Sequence, residues 1–300
     1  MQKTAKVAGK KKKKITTFDI FLIVFFCLMI LITLYPFLNV LAISFNDSLD
    51  TIRGVNFIIP RKFTLYNYIY LFTKKSLGGP LWMSIARTLV GTGVGVVCTA
   101  MLAYVLSRQD FFFRKSFTML FIITMYISGG MIPDYLLLTQ TLNLDNNFLV
   151  YIVPSVIWVY NVILIRSYIY GLPVALQESA RIDGASDFKI WYSIILPLCK
   201  PVLATVALFI AVGQWNSFMD TYLYARKLPT LQYKMYEILN ETGIKVTNIH
   251  DANLLDRTNN VTPTSVNMAI TVVATVPIII VYPFLQKYFV GGMTLGAVKD

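Results

Sequence analysis

The chain is poor in the side chains that enzymes use for chemistry. It has one histidine, His250, in 300 residues. A histidine-based dyad or metal site therefore has almost nothing to draw on. Its three cysteines, Cys27, Cys98 and Cys199, lie in or beside apolar runs without metal-ligand spacing. That pattern gives neither a disulfide framework nor a zinc site. Charged residues make up only 14% of the chain against 56% hydrophobic, too few to solvate the surface of a soluble domain. Despite the net charge of +12, there is thus no soluble basic face to offer a nucleic acid. No phosphate-binding glycine loop is present either. The one candidate, Gly91-Thr92-Gly93-Val94-Gly95, lies inside an apolar run and lacks a following Lys-Ser/Thr. Nucleotide hydrolysis, if the chain depends on it, belongs to another chain. No catalytic set, resident metal or cofactor is expected here, and the chain reads as a non-enzyme.

What is present is apolar sequence in long runs. A membrane helix needs about 20 residues, and six runs qualify as spans: 18–44, 81–106, 116–132, 148–165, 201–218 and 264–289. The expected fold is an all-α polytopic membrane protein with six transmembrane helices. A basic tail, 1–17, carries five consecutive lysines at 10–14 and precedes the first run. That run is too long for a signal peptide and lacks a small-residue cleavage site. Pro36 is expected to kink or end it. Gly91 and Gly95, four apart, suit a close helix contact. Gly129, Gly130 and Pro133 break the third run, and Pro154 lies inside the fourth. With both termini inside, 16 of the 27 Lys and Arg fall on the inner side and 11 outside, while the acids divide 6 and 9. This bias sets an N-in/C-in orientation and brings the tail to anionic lipid. It puts the segment 171–200 in the cytoplasm and the loop 219–263 outside.

The segment 171–200 carries much of the polar chemistry of its half. Pro173-Val-Ala-Leu-Gln-Glu-Ser-Ala-Arg-Ile-Asp-Gly-Ala reads as a short helix broken at Gly184, followed by a second that Ser186 or Asp187 caps and Pro197 closes. Glu178 and Arg181 are spaced to pair on one face. Ala180 and Gly184 leave a patch without bulky side chains.

Glu178, Ser179, Ala180, Gly184, Ile194, Leu196 and Pro197 stand at the spacing of the EAA loop of bacterial ABC importer permeases: Glu-Ala-Ala, three residues, Gly, nine residues, Ile-any-Leu-Pro. Ser179 replaces the middle Ala. Arg181-Ile182-Asp183-Gly184-Ala185 resembles the carbohydrate branch. The resemblance extends over nearly the whole chain, through Leu102–Arg108, Ser128–Pro133, Gly213–Phe218 and the C-terminal segment from Tyr282. It is nearest to the branch named for a lipoprotein-linked operon of Gram-positive bacteria. The resemblance implies the type I ABC importer fold over 18–300. It implies a permease that moves an oligosaccharide or related glycan across the cell membrane by alternating access. ATP and Mg would act in two partner ATPase subunits that seat on a coupling loop containing Glu178, Ser179, Ala180, Asp183, Gly184, Ile194, Leu196 and Pro197. The other implied partners are a second, different permease and an extracellular lipoprotein sugar-binding protein.

A sugar path calls for aromatic faces beside amides or hydroxyls. Trp158, Tyr160, Asn161, Trp215 and Asn216 are the candidates, each also readable as core packing or an interfacial belt. In the outer loop, Leu231, Met235 and Leu239 predict an amphipathic helix against the outer membrane face. Asn248, Asp251, Asn253 and Asp256 follow as candidates for contacting the binding protein. The competing class is a secondary transporter or channel not driven by ATP. Such proteins carry ionisable residues within spans and internal repeats, and neither stands out, since Asp19 and Arg87 read as lying near span ends.

Overall fold

The computed structural model describes residues 16–54, 56–246 and 261–295, with only the backbone described for 242–246 and 284–295. The lysines of the tail, the loop candidates Asn248, Asp251, Asn253 and Asp256, and the last five residues lie outside the described residues. The described chain is helical, and its only β feature is an isolated antiparallel bridge between Asn46 and Phe63.

The elements in order are α1 (Thr17–Ser44), α2 (Ser48–Arg53), α3 (Tyr66–Thr73), α4 (Gly78–Ser107), α5 (Arg114–Tyr126) and α6 (Met131–Leu136). A π-helical turn, Leu137–Thr141, and two 3-10 turns, Phe148–Tyr151 and Val153–Ser155, lead to α7 (Val159–Tyr170). Then come α8 (Ala175–Ile182) and α9 (Asp187–Ile190), a second π turn (Trp191–Ile195) and α10 (Leu196–Leu198). The chain finishes with α11 (Lys200–Asn216), α12 (Met219–Tyr224), α13 (Leu231–Val246) and α14 (Pro263–Leu295).

Three described helices are long and apolar enough to cross a membrane: Thr17–Ser44, Gly78–Ser107 and Pro263–Pro283. Three more pass that test only as bent pairs, at 111° between Arg114–Tyr126 and Met131–Thr141, 50° between Phe148–Ser155 and Val159–Tyr170, and 84° between Asp187–Leu198 and Lys200–Asn216. The breaks have local causes. The chain turns extended at Ile127, so α5 stops at Tyr126, short of the expected 132, and Gly130, at φ 91°, a conformation that ordinary residues avoid, sets the new direction at the start of α6. Pro154 does not sit in a continuous helix but in a 3-10 turn, and regular helix resumes only at Val159. Pro36, by contrast, neither ends nor breaks α1, which runs on to Ser44. The last span also extends past 289, to Leu295, with Pro277 and Pro283 inside it.

The bundle is built around α4. Helix α11 packs along it, with α7 on another side and α14 behind α11. The glycine spacing in α4 explains the close approach. A Cβ on Gly91 would lie 2.8 Å from Gln214 Cδ, and one on Gly95 would lie 3.2 Å from Ile210 Cδ1, both on α11. One core, including Ala103, Ile165, Ile190, Ile195 and Val206, fills the end near Ser107. A second core at the other end joins Leu71, Leu77, Trp215, Leu231, Ile238 and Ile270.

That second core revises the reading of the long loops. The segment after α1 holds α2 and α3, tied back by Asn67, whose Nδ2 donates to the carbonyls of Ser44 and Asn46 at 2.9 Å each. The segment after α11 holds α12 and α13. The predicted helix from Leu231 is real and longer than expected. Its apolar stripe is Leu231, Met235 and Ile238, packed on α4 and α14, while Leu239 is exposed. Helix α13 therefore covers protein, and is not laid on a membrane surface by the predicted face. A seven-residue step turns the stripe by about 20° less than two full turns, whereas eight overshoots by more. That difference selects Ile238 over Leu239.

Candidate functional site

At the Ser107 end, the chain forms an elbow from α8, α9 and α10. Its corner is Gly184, at φ 78° with nothing within 4 Å of a notional Cβ. The amide of Gly184 donates to the Arg181 carbonyl and that of Ala185 to the Ala180 carbonyl, both at 2.9 Å. This is the paired bonding that closes a helix through a left-handed residue. Ser186 then caps α9, accepting from the Lys189 amide at 3.4 Å.

The elbow has two faces, and the motif residues divide between them. Glu178, Ser179, Asp183, Gly184 and Pro197 are exposed. Ala180 is buried, and Ile194 and Leu196 pack against the same core as Ile190, Trp191 and Ile195. Ala180 and Gly184 accordingly do not share one open patch. Ala180 is small because the bundle lies against it, and Gly184 is glycine because of its φ. Two large apolar side chains missed in the sequence accompany the exposed face: Ile182 is 86% exposed and Phe188 65%.

Arg181 does not pair with Glu178. Its Nη2 reaches Asp110 Oδ2 at 2.6 Å and Asp187 Oδ1 at 3.4 Å. Arg108, only 9% exposed in its side chain, forks onto both oxygens of Asp110 at 2.9 Å and also meets Asp187 at 2.9 Å. Its remaining Nη1 hydrogen donates to the Tyr104 hydroxyl at 2.7 Å. Two arginines and two aspartates thus alternate, joining the α4–α5 turn to both helices of the elbow. The Arg108 hydrogen bonds hold the Asp110 carboxyl below its usual range. A cleft of about 210 Å³ lies beside this network, lined by Arg108, Asp110, Tyr170, Gln177, Glu178 and Arg181.

At the opposite end of α4, Arg87 is 1% exposed and ten residues into the helix, so it lies within the span and not at its edge. Its Nη2 meets Asp220 Oδ2 at 2.5 Å, its Nε donates to Gln214 Oε1 at 3.0 Å, and its Cζ lies 4.4 Å over the Tyr151 ring. Gln214 Nε2 in turn donates to the Tyr151 carbonyl at 3.0 Å and to Ser155 Oγ at 2.6 Å. Asp220 also accepts from the Ser217 hydroxyl. A smaller cleft of about 100 Å³ opens beside Arg87, lined also by Ser155, Trp158, Phe209, Gly213 and Asp220.

The five path candidates separate on this geometry. Trp158 lines the cleft and is exposed, as are Tyr160 and Asn216. Asn161 is buried in α7. Trp215 is buried too, and its indole N–H donates to the Ala274 carbonyl at 3.0 Å, so it ties α11 to α14. Arg87, Gln214 and Asp220 were missed as a unit. The available signal was one arginine inside an apolar run and one aspartate just past the Gly213–Phe218 motif. Among the described residues, no group of three His, Cys, Asp or Glu could hold a metal ion.

No protein-family model matches the chain. Individual proteins do. It is 34% identical over 283 residues to the polygalacturonan/rhamnogalacturonan transport system permease protein YtcP of Bacillus subtilis, covering 94% of this chain and 98% of that one. It is 39% identical over 273 residues to protein LplC of the same organism, covering 89% and 90%. The trehalose/maltose transport system permease protein MalG of Thermococcus litoralis is 30% identical over 93% of this chain and 96% of its own. Among solved structures, a chain of a bacterial ABC transporter involved in the import of the acidic polysaccharide alginate superposes with a TM-score of 0.77 at 30% identity, covering 91% of this chain and 96% of that chain.

Proposed function

The chain belongs to the carbohydrate ABC transport system permeases, and from that premise we propose that it is one permease subunit of an ATP-driven importer of an oligosaccharide or related glycan. The observation that carries the reading is the elbow at Gly184. It presents Glu178, Ile182, Asp183 and Phe188 outward while Ala180, Ile190 and Trp191 anchor it in the bundle. A rigid, exposed, two-helix corner is what an external ATPase needs in order to push on the spans.

In this reading the chain crosses the membrane six times, N-in/C-in, in the membrane of a Gram-positive bacterium. The elbow seats in a cytoplasmic ATPase subunit through Glu178, Ser179, Asp183 and Gly184, with Ala180, Ile194, Leu196 and Pro197 holding it to the spans. A different permease completes the pathway, ATP and Mg act in two ATPase subunits, and an extracellular sugar-binding lipoprotein delivers the cargo. Asn248, Asp251, Asn253 and Asp256 are its proposed contacts. ATP closes the ATPase pair, and the elbow transmits that closure as a shift from inward-open to outward-open spans. Trp158, Tyr160 and Asn216 face the path, and Asn161 and Trp215 support it from behind.

A second reading, an ion-driven carrier, draws on the buried Arg87–Asp220 pair, because carriers place ionisable groups within spans. Here every charge in that cluster already has a partner, which favours a structural role. Reconstitution of the chain with its partner subunits in proteoliposomes, with oligosaccharide uptake measured with and without ATP, tests the proposal. ATP-dependent uptake is expected. Uptake driven by an ion gradient without ATP refutes it.

A further inference from the structure

Beyond the cleft at Arg87, the same end of the molecule carries an aromatic surface that the coupling mechanism does not use. Phe218, Tyr222 and Tyr236 come together where α11, α12 and α13 meet. The Phe218 and Tyr236 rings stack at 5.0 Å and 23°, and Tyr222 meets the edge of Tyr236 at 6.0 Å and 76°. Arg226 lies over the Tyr222 ring at 4.7 Å, its Nε held by the Tyr222 carbonyl at 2.8 Å. Beside them, Gln232 Nε2 approaches Asn216 Oδ1 at 3.4 Å, a long contact on the exposed side.

Three features set this cluster apart from ordinary packing. Tyr222 and Tyr236 are 36% and 37% exposed even though their own helices have buried faces. Their neighbour Tyr233, by contrast, is buried at 8%. Among the described residues, neither the Tyr222 nor the Tyr236 hydroxyl has a hydrogen-bond partner, whereas the buried Tyr151 hydroxyl donates to the Leu228 carbonyl at 2.7 Å. Finally, the surface continues along exposed positions of α11, Asn216 and Gly213, down to the cleft with Trp158 and Phe209. A lipid-facing strip would not carry a carboxamide pair, a guanidinium and unpaired phenols in sequence.

We infer that Phe218, Tyr222 and Tyr236, with Asn216, Gln232 and Arg226, form a docking platform for a sugar ring at the mouth of the path, one step ahead of the cleft at Trp158. A pyranose has an apolar face of C–H groups and an equatorial rim of hydroxyls. Aromatic rings cover the first at low entropic cost, since each has only two side-chain torsions. Amides, phenols and a guanidinium bond the second, as the few convergent polar groups of a binding site do. The ligand is a neutral or uronic oligosaccharide, and the inference rests on the carbohydrate-import reading.

The test uses the complete transporter, assembled with its partner subunits and binding protein in proteoliposomes, with maltotetraose, tetragalacturonate and arabinotetraose as probes. Tyr222→Ala/Tyr236→Ala is expected to raise KM for the transported probe about tenfold, the worth of two aromatic contacts, with ATPase activity in the absence of sugar unchanged. Gln232→Ala should raise KM severalfold without touching the ring stack, which separates sugar contact from loss of packing. Tyr222→Phe/Tyr236→Phe keeps the rings and removes the hydroxyls, and should raise KM by less than the double alanine change. KM within twofold of wild type in both the double alanine variant and Gln232→Ala overturns the platform. Failure of the import reading gives a different result: the wild-type assembly hydrolyses ATP yet takes up no probe.

Discussion

The sharpest test of the packing argument is to remove Asp220 and leave Arg87 where it is. The Arg87 side chain is 2% exposed and that of Asp220 24%, with 2.5 Å between Nη2 and Oδ2. At an effective dielectric of about 20, two unit charges this close attract by about 7 kcal/mol before desolvation is subtracted. Breaking a buried pair by deleting one partner costs about 3–5 kcal/mol, because the survivor is left uncompensated. Asp220 reaches some solvent, so the lower bound applies, and Asp220→Ala is expected to cost about 3 kcal/mol. Arg87→Met removes the buried charge itself. It leaves Gln214 Oε1 without its donor, a loss of about 1–3 kcal/mol, but Asp220 keeps the Ser217 hydroxyl.

The two changes are therefore not additive. Once Asp220 is alanine, replacing Arg87 by methionine removes an unpaired buried cation and is expected to restore stability. The cycle can be read from thermal unfolding in detergent, using a thiol-reactive dye at Cys199. That thiol is 2% exposed, and serine at Cys27 and Cys98 leaves it the single reporter. The expected order of midpoints places the double variant above Asp220→Ala. A double variant lower than either single change refutes the reasoning, because it means that Arg87 holds the bundle together independently of Asp220.

Gly184→Val forces a β-branched residue to φ 78°, at a cost of about 1–2 kcal/mol. Sugar-stimulated ATPase activity of the assembled transporter should fall, while wild-type coupling would show that the corner is unimportant. Glu178→Lys should uncouple ATP hydrolysis from uptake without reducing the amount of inserted chain, and normal uptake would mark the elbow as a plain connector. Gly91→Leu places side-chain atoms where even a Cβ lies 2.8 Å from Gln214. It should lower the unfolding midpoint by separating α4 from α11, and an unchanged midpoint contradicts the close contact. The Asp110 pKa is lowered by its hydrogen bonds from Arg108, so its contribution is present above the unfolded value of about 3.9 and disappears as pH falls through the folded value. Stability should drop more steeply in acid for wild type than for Asp110→Asn, and parallel curves would remove Asp110 from the account.

The sequence made some of this legible and hid the rest for identifiable reasons. The apolar runs of α1, α4 and α14 exceed a membrane's thickness, and length alone reveals them. The corner at Gly184 was readable because a glycine between two good helix segments has few other uses. The interior breaks were read unevenly. The pair Gly129-Gly130 marked the break in the third run, whereas Pro36, expected to kink or end α1, neither ends nor breaks it, because nothing in its local sequence says whether neighbours will support a proline. The stripe of α13 was misplaced by one residue because Ile238 and Leu239 are adjacent and equally apolar. Once Leu231 is buried, the helical period, seven residues against eight, decides between them. Arg181 had Glu178 three residues away as an obvious partner. Asp110 lies 71 positions off in sequence, and a pairing of that kind leaves no periodic trace.

Both charge clusters are fastened to one helix, and that arrangement has a mechanical consequence. Arg87 lies within α4 and Arg108 at its C-cap. Twenty-one residues of α-helix separate them, about 32 Å at 1.5 Å per residue. Between them Gly91 and Gly95 seat α4 on α11, where no Cβ holds the helices apart. At one end Arg108 and Arg181 clasp the elbow through Asp110 and Asp187. At the other, Arg87 holds Asp220 on α12 and Gln214 on α11. A helix shortens or bends only by breaking backbone bonds or inserting a defect, and the described α4 runs without one. A displacement of the elbow must then either break the Arg108–Asp187 and Arg181–Asp110 pairs or move α4 as a rod. If those pairs hold, the far end moves too, and the residues that meet that motion are Asp220 and the ring cluster beside it. The joint between elbow and rod joins a buried Arg108 to partners and an Arg181 that are exposed, and salt weakens the exposed Arg181 pairs, while Arg87 at the far end is buried. Elevated ionic strength therefore loosens the linkage first at Arg181, whose side chain is 43% exposed, and not at Arg87.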